Sequence, residues 1–517
     1  MIMFKKFIAF LLAVCLVFSA LFCAGAVEPE QEKFFRVMVP GVNTRDILYM
    51  PGTDDAVGVF PPSTDAILSV VEGALPVLGK FACTRDWDAF AVEVSGLVMQ
   101  LFDKFACDEN GNSKENVGID WEYPEEEIIL ESDNATFYYD WRLDPLYVAE
   151  QLSDYIDYIL EVRGEEKVVV ECHSMGGVIT LSYFANEGEK AYDKVHSVLF
   201  DSTAIFGTSV AGEPMNGKIA VNGTSLANFL YDSVLGMDAE ALLHSIFDVI
   251  NEAGIFDGVG VVANNIVDKI IATVYEECAI DIFASVPGIW ALTPAENFEA
   301  AKKLCFEGER GEKYAGLIEK IDNYDLKVRR QAVTLLKEID SRMNIGVFSR
   351  YNYQITPVIE TWNVQSDMVI DTKFTSFGAT CAPLGETLGE GYVQKNTACG
   401  HNHLSIDGVI DASTCLFPEY TWFIKDIQHS FGMREMEELR DLIFNSEKQV
   451  TVHDYEEFPQ FMSYDPAEET FSPLGVPQVE TKSPFMAWIS GTKASVFVNV
   501  YYQFFKLIAD SVVSVFK

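Results

Sequence analysis

The sequence predicts an α/β fold in which helices flank a mostly parallel sheet and one large helical insertion interrupts the chain. Between residues 34 and 204, short apolar segments alternate with segments of helical periodicity. This alternation is typical of parallel sheets. Residues 205–342 have helical periodicity with little strand character, and strand-like segments resume at 344–353. An insertion between two parts of one sheet accounts for this order.

The first part of the predicted core begins with FFRVMVPGVN (34–43), a strand that enters a Pro-Gly loop. EEIILES and ATFYYDWRL are predicted as further strands, and VVVEC and HSVLFDSTA as the next two. A helix is predicted between these pairs, and Gly164 ends it. Its apolar residues recur at helical spacing: Val148, Leu152, Ile156 and Ile159.

The second part contains two predicted strands, NIGVFSRYNY (344–353) and YTWFIKDI (420–427), and the helix MREMEELRDLIF (433–444). We interpret the insertion as a cap over the carboxyl edge of the sheet, where open α/β sheets bind ligands. A separate helical packing domain is the alternative. The predicted organisation is a signal peptide at 1–26, core at 34–204, cap at 205–342, core at 343–450, and an extension at 451–517.

Both ends of the chain carry apolar segments. The first has two lysines, an apolar run and Ala24-Gly25-Ala26, which predicts a cleaved signal peptide and a secreted or extracytoplasmic protein. At 495–517 one narrow polar stripe runs along a broadly apolar helix. That amphipathic helix is predicted either to contact a membrane or lipid surface or to pack against the cap or a partner.

Composition excludes some partners. The 517 residues include 78 acidic and 37 basic side chains, for a net charge of −41. Such a surface repels nucleic acid and anionic membranes. A hydrophobic content of 49% predicts a folded chain.

Eight of the ten cysteines follow the leader, and their possible disulfides are Cys83 with Cys107, Cys278 with Cys305, and two among Cys381, Cys399 and Cys415. No spacing resembles a zinc site.

The stretch VVVECHSMGG predicts a strand, a sharp turn at Ser174 and a helix. In a nucleophile elbow, small residues two before and two after the serine let strand and helix approach closely. Gly176 fits this pattern, and Cys172 replaces the first glycine. Ser174 is therefore the candidate nucleophile.

A serine nucleophile needs a base, an acid that orients the base, and donors for the oxyanion. In α/β hydrolases the chain order is serine, acid, histidine. Asp367 lies in a loop after a predicted strand and is the candidate acid. Asp371 is the fallback, and Asp411 is a minor candidate.

His429 is the candidate base, because it follows a predicted strand and precedes a helix. His401 and His403 are rivals from a loop without a preceding strand. These two could instead bind a metal, but the sequence shows no clear third ligand. His173 is expected to point away by strand alternation and to be structural.

Two backbone N–H groups are the candidate oxyanion donors. Met175 follows the serine onto the helix N-terminus, where the helix dipole favours negative charge. Val42 lies in the loop after the first strand, where Gly41 keeps the backbone accessible. A simple Pro-Gly turn is the alternative for this loop.

Four segments in order resemble the lecithin:cholesterol acyltransferase-like branch of the α/β hydrolases: VPGV, YDWRLDP (139–145), CHSMGG and SVPGIWALTP (285–294). The resemblance implies an α/β-hydrolase fold and an enzyme that hydrolyses fatty acyl esters of lipids or transfers the acyl group. Carried over, Ser174 is the nucleophile, Asp367 the acid and His429 the base, with Val42 and Met175 donating to the oxyanion. No metal or organic cofactor is implied.

The chain departs from that family's pattern at Cys172 and around Asp367, where Ser366 and Met368 replace glycines. Asp140 and Arg142 are expected to pair and shape the entrance. Apolar side chains in the predicted cap favour a lipid substrate: Phe229, Leu230, Leu242, Leu243, Ile246 and Phe247. A secreted interaction protein on a hydrolase scaffold, without catalysis, is the alternative function.

Overall fold

The computed structural model describes residues 33–230, 255–432, 436–465 and 468–475. The predicted signal peptide (1–26) and the predicted C-terminal helix (495–517) lie outside these residues. Leu242, Leu243, Ile246 and Phe247 of the predicted cap also lie outside them.

An eight-stranded sheet forms the centre of the molecule, in the order β13-β12-β11-β8-β7-β6-β1-β5. Its strands are β1 (Phe35–Val39), β5 (Asn134–Thr136), β6 (Val168–His173), β7 (Val195–Asp201), β8 (Asn344–Tyr351), β11 (Thr421–Lys425), β12 (Phe461–Asp465) and β13 (Thr470–Pro473). Only β12 and β13 pair antiparallel; the other neighbours are parallel. The prediction of a mostly parallel sheet in an α/β fold is confirmed.

Two small sheets lie outside it. One contains β2 (Ile47–Tyr49), β3 (Val57–Phe60) and β4 (Val117–Gly118), and the other contains β9 (Thr380–Cys381) and β10 (Ile410–Asp411).

The α-helices are α1 (Thr64–Thr84), α2 (Trp87–Phe102), α3 (Glu126–Glu131), α4 (Pro145–Arg163), α5 (Met175–Glu187), α6 (Glu189–Lys194), α7 (Ser209–Met215), α8 (Gly223–Leu230), α9 (Ile255–Val274), α10 (Pro287–Leu292), α11 (Ala295–Phe306), α12 (Glu309–Lys313), α13 (Ala315–Lys327), α14 (Ala332–Asp340), α15 (Thr372–Thr375) and α16 (Glu437–Asn445). A π-helical segment spans Tyr275–Ala284, and 3-10 turns span Arg329–Gln331, Ala412–Thr414 and Pro418–Tyr420.

Helix α4 illustrates how local sequence sets an element. Asp144 caps its N-terminus by accepting a hydrogen bond from the N–H of Leu146, and Pro145 occupies the first helical position. Gly164 ends it at φ 65°, a left-handed conformation that glycine adopts without strain. The sequence predicts both ends of this helix.

Alternation along β6 divides the core between the two faces of the sheet. Val168, Val170 and Cys172 lie in the larger apolar cluster with α4 and α5, whereas Val169 lies in a second cluster with α16. Helices α13 and α14, from the segment predicted as an insertion, also contribute to the larger cluster. Both faces of the sheet are therefore covered by helices.

Two strand predictions are wrong. EEIILES forms helix α3, because three acidic residues stabilise a helix N-terminus and only Ile129 of its apolar run is buried. Of ATFYYDWRL, only Ala135 and Thr136 lie in a strand, β5. The sequence prediction also stopped at YTWFIKDI and missed β12 and β13, which extend the sheet beyond β11.

All eight cysteines in the described residues are free. The predicted disulfides are therefore absent from this structure. Cys83 is exposed while Cys107 is buried. The thiols of Cys278 and Cys305 instead face the carbonyl oxygens of Val274 and Met215.

Within the described residues, α1 alone is long and apolar enough to cross a membrane by length and composition. None of its apolar stretch is buried. Leu68 and Leu75 are 53% and 56% exposed. Large apolar surface therefore faces away from the core at this helix.

Candidate active site

Ser174 stands at the junction of β6 and α5 with φ 56° and ψ −124°. Few non-glycine residues adopt such a positive φ, and strained residues cluster at functional sites. Hydrogen bonds hold the strained turn. The N–H of Ser174 donates to the carbonyl of Asp201 at 3.2 Å, and its carbonyl accepts from the N–H groups of Gly177 and Ala204 at 3.1 and 2.9 Å.

Two glycines let this turn pack closely. A Cβ on Gly176 would lie 1.9 Å from the carbonyl oxygen of Val39, and one on Gly177 would lie 2.4 Å from Cβ of Thr203. Neither position accommodates a side chain. Cys172, at the place of the first glycine of the elbow pattern, is fully buried and directs its thiol to the carbonyl of Leu199. Its side chain therefore packs in the core beside the turn.

The loop after β1 passes directly over the serine. A Cβ on Gly41 would lie 2.6 Å from Cβ and 3.0 Å from Oγ of Ser174. The hydroxyl of Tyr139 fixes this loop by donating to the carbonyl of Pro40 at 2.7 Å. Val42 follows Gly41, and Met175 opens α5 on the other side of Ser174. The first N–H groups of a helix have no partner within the helix and can receive negative charge.

Asp367 and His429 form a buried pair. Nδ1 of His429 lies 2.7 Å from Oδ2 of Asp367, and the N–H of His429 donates to the carbonyl of Asp367 at 2.9 Å. Oδ1 of Asp367 accepts from the N–H groups of Val369 and Ile370 at 3.0 and 2.8 Å. Burial alone would raise the pKa of Asp367, but His429 and the two N–H donors together hold it below its usual value.

His173 does not point away from the site, so that prediction is wrong. Its ring lies 4.6 Å from the ring of His429 between centroids, and its Nδ1 lies 3.1 Å from the carbonyl oxygen of Asp201. Strand alternation directs the side chain of His173 to the face of the sheet that Val169 occupies. His429, in the connection from β11 to α16, packs against it there. Burial lowers the pKa of His173, and the neighbouring His429 lowers it further.

A buried ion pair between Arg350 and Asp201 supports both halves of the site. Nη2 of Arg350 lies 3.0 and 2.8 Å from the carboxylate oxygens of Asp201, whose carbonyl accepts from Ser174. Nη1 donates to the carbonyls of Gln428, His429 and Phe431 at 2.6, 2.6 and 3.0 Å. Sequence reasoning missed this pair, although an arginine inside an apolar strand requires a buried partner.

The rival acids have other partners. Both oxygens of Asp371 accept from Ser209 at the start of α7, one from the N–H at 2.9 Å and one from the hydroxyl at 2.7 Å. Asp411 accepts from Ser413, from the hydroxyl of Tyr392 and from the N–H of Lys395.

The rival histidines lie elsewhere. His401 and His403 contact Glu419, which precedes the amino end of β11, whereas His429 follows the carboxyl end of that strand. The sequence showed no third metal ligand for this pair, and the structure brings Glu419 and Cys399 to it.

The four segments that carry the family resemblance meet around Ser174. A Cβ on Gly288, in SVPGIWALTP, would lie 2.0 Å from the carbonyl oxygen of Trp141 and 3.1 Å from Cε of Met175. Arg142 donates to both oxygens of Asp140 at 3.0 and 2.6 Å, and its carbonyl accepts from the N–H of Gly288 at 3.0 Å. Asp140 and Arg142 therefore pair and anchor α10 to the loop before α4.

No protein-family model matches the chain, and no curated protein matches it significantly. Among solved structures, a chain from the crystal structure of the Tle4-Tli4 complex aligns at 13% identity, over 62% of this chain and 75% of that chain, with a TM-score of 0.26. The description of the fold rests on the structure itself, in which helices flank a mostly parallel sheet.

Proposed function

We propose that the protein is a secreted serine hydrolase with an α/β-hydrolase fold, which cleaves fatty acyl esters of lipids or transfers the acyl group. One observation carries this proposal: a serine in a strained strand-to-helix turn lies next to His173, whose ring packs on a histidine held at 2.7 Å by a buried aspartate. Ser174, His429 and Asp367 are the proposed nucleophile, base and acid.

The geometry of the pair supports the direction of proton transfer. With Nδ1 of His429 donating to Asp367, Nε2 carries a lone pair that accepts the hydroxyl proton of Ser174. Oγ then attacks the ester carbonyl, and the N–H groups of Val42 and Met175 receive the oxyanion. The imidazolium returns its proton to the leaving alcohol, which departs and leaves an acyl-serine.

Deacylation repeats these steps with a second nucleophile. Water gives a proton to His429 and attacks the acyl carbonyl. The bond between the acyl carbon and Oγ of Ser174 then breaks, His429 returns its proton to Oγ, and the fatty acid leaves. An alcohol in place of water transfers the acyl group. Asp367 remains charged throughout, in keeping with its lowered pKa.

A lipid substrate is supported by the family resemblance and by apolar surface. Phe229 belongs to the predicted cap, at 205–342, and α1 exposes Leu68 and Leu75. Such surfaces suit a long acyl chain or a lipid aggregate. A cleaved signal peptide at 1–26 would deliver the protein to extracytoplasmic lipids.

The proposal is tested by labelling the purified protein with a fluorophosphonate and locating the adduct by mass spectrometry. We expect the adduct on Ser174, and its loss in His429→Ala and Ser174→Ala. Ser341→Ala is the matched control, because Ser341 is an exposed serine whose hydroxyl donates to the carbonyl of Glu338 at 2.8 Å. Failure of the folded wild type to label, with detergent present, would instead favour the non-catalytic interaction protein.

A further inference from the structure

A second cluster of reactive side chains lies away from Ser174, at the amino end of β11. Sγ of Cys399, ring nitrogens of His401 and His403 and a carboxylate oxygen of Glu419 all lie within 4.8 Å of one another. Cys399, His401 and His403 come from the loop between β9 and β10, and Glu419 comes from the turn before β11. Four potential metal ligands thus converge from two separate segments.

His403 is oriented as a metal-binding histidine. Its side chain is fully buried, and Nδ1 lies 2.7 Å from Oε1 of Gln460. The amide nitrogen of Gln460 donates to the carbonyls of Pro418 and Thr421, so its oxygen must face the ring. Nδ1 of His403 therefore carries the hydrogen, and in the neutral ring Nε2 presents a lone pair. Donation from the second nitrogen to a carbonyl is the usual support of a metal-bound histidine.

That lone pair faces other electron-pair donors. Nε2 of His403 lies 3.1 Å from Oε1 of Glu419 and 3.2 Å from Sγ of Cys399. Nδ1 of His401 lies 3.0 Å from Oε2 of Glu419. A carboxylate and an imidazole lone pair repel at such distances unless a proton or a cation lies between them.

We propose that this cluster binds a divalent transition metal of the zinc class through Cys399, His401, His403 and Glu419. Tetrahedral zinc, with bonds of about 2.0 to 2.3 Å, separates its ligand atoms by about 3.3 to 3.7 Å, so small adjustments of these side chains admit the ion. The mixture of thiolate, imidazole and carboxylate suits zinc rather than magnesium or calcium. Binding releases the thiol proton of Cys399 to solvent.

The proposed site is structural. Four protein ligands leave no position for a substrate, which distinguishes structural from catalytic zinc sites. The metal joins the β9–β10 loop to the turn before β11, and Gln460 extends this connection to β12. His453 hydrogen-bonds the second oxygen of Glu419 and orients it. Exposed Cys399 and His401 provide the path by which the ion enters.

The test uses the purified full chain, stripped with a chelator and titrated with Zn²⁺ or Co²⁺. We expect one equivalent of zinc per chain, and with cobalt a thiolate-to-metal charge-transfer band. Zinc should raise the melting midpoint by roughly 5 °C, since the ion binds only the folded site. Cys399→Ser and His401→Asn alter exposed side chains and leave the buried His403 in place.

Cys83→Ser is the matched control, because Cys83 is the other exposed cysteine among the described residues. We expect Cys83→Ser to keep the stoichiometry, the charge-transfer band and the thermal shift, and Cys399→Ser to lose all three. Equal zinc binding by the wild type and Cys399→Ser, or no uptake by the folded wild type at micromolar zinc, would overturn the proposal. Neither readout depends on the reactivity of Ser174.

Discussion

His429 is joined to Asp367 twice, through its ring and through its backbone. Nδ1 lies 2.7 Å from the Asp367 carboxylate, and the backbone N–H donates to the Asp367 carbonyl at 2.9 Å. The two residues come from loops that follow neighbouring parallel strands, β8 and β11. The backbone bond fixes the position of the imidazole, and the carboxylate selects the ring tautomer.

Asp367→Asn is therefore expected to lower kcat by about 10⁴-fold, because an amide can hold the ring in the wrong tautomer. The backbone bond persists, so the variant should fold. Initial rates on a soluble short-chain ester measure the effect, and circular dichroism checks the fold.

Asp371→Asn is the matched comparison, since Asp371 is also a buried aspartate but its carboxylate accepts only from Ser209 in the contacts described. It should lower the free energy of unfolding by about 1 kcal/mol through the start of α7, with kcat within a few-fold of wild type. A larger kcat loss in Asp371→Asn than in Asp367→Asn would assign the acid to Asp371.

Gly41→Ala tests the loop over the serine. The added Cβ would lie 2.6 Å from Cβ of Ser174, so the loop must shift and carry the N–H of Val42 with it. We expect kcat to fall by about 10²-fold or more, as for loss of one oxyanion donor. Gly96→Ala, where a Cβ meets no atom within 4 Å, is the control and should leave kcat unchanged. Equal kcat in both variants would remove this loop from the mechanism.

Arg350→Met is expected to destabilise the fold by about 3 to 5 kcal/mol, because it leaves the buried carboxylate of Asp201 without its arginine partner. The double variant Arg350→Met, Asp201→Asn should recover much of this loss. Urea unfolding measures both. Arg342→Met, which removes an exposed pair with Glu189, should have no measurable effect. A failure of the second substitution to restore stability would show that the contacts of Arg350 to the Gln428–Phe431 segment dominate.

Local patterns predicted much of the fold. The capped helix α4, the buried strand β6 and the turn at Ser174 each depend on residues close in sequence, whose spacing fixes their conformation. The same holds for the position of His429 after β11. Short-range signals of this kind are strong where apolar periodicity and caps agree.

Features that depend on distant partners were not predicted. Strands β12 and β13 follow an acidic, loop-rich stretch, and they are recognised only by pairing with β11 and with each other. Glu419 and Cys399 lie 16 and 4 residues from His403, at spacings that match no familiar metal motif. The packing of His173 on His429 likewise depends on where the connection from β11 to α16 passes. Tertiary proximity of this kind leaves little trace in a single sequence.

Exposed apolar residues on α1 predict association with lipid surfaces. The double variant Leu68→Ser, Leu75→Ser should lower binding to phosphatidylcholine vesicles several-fold, because both side chains are over half exposed. Zwitterionic vesicles avoid repulsion by the net charge of −41. Leu326→Ser, at a leucine 61% exposed on α13, is the control. The wild type, the double variant and Leu326→Ser should hydrolyse a soluble ester at the same rate. Undiminished cosedimentation of the double variant would locate lipid contact elsewhere.

Stability in acid should report the state of Asp367. Its pKa in the folded protein lies below the value of 3.8 expected when unfolded. The folded state therefore favours the carboxylate, and this stabilisation is fully present well above pH 3.8 and declines as pH falls through the folded pKa. Asp367→Asn cannot titrate at this position. Below about pH 5 the difference in unfolding free energy between wild type and Asp367→Asn should shrink steadily. Urea unfolding in steps from pH 5 to pH 3 measures this difference, and a constant difference over that range would mean that Asp367 is not held as a carboxylate by His429.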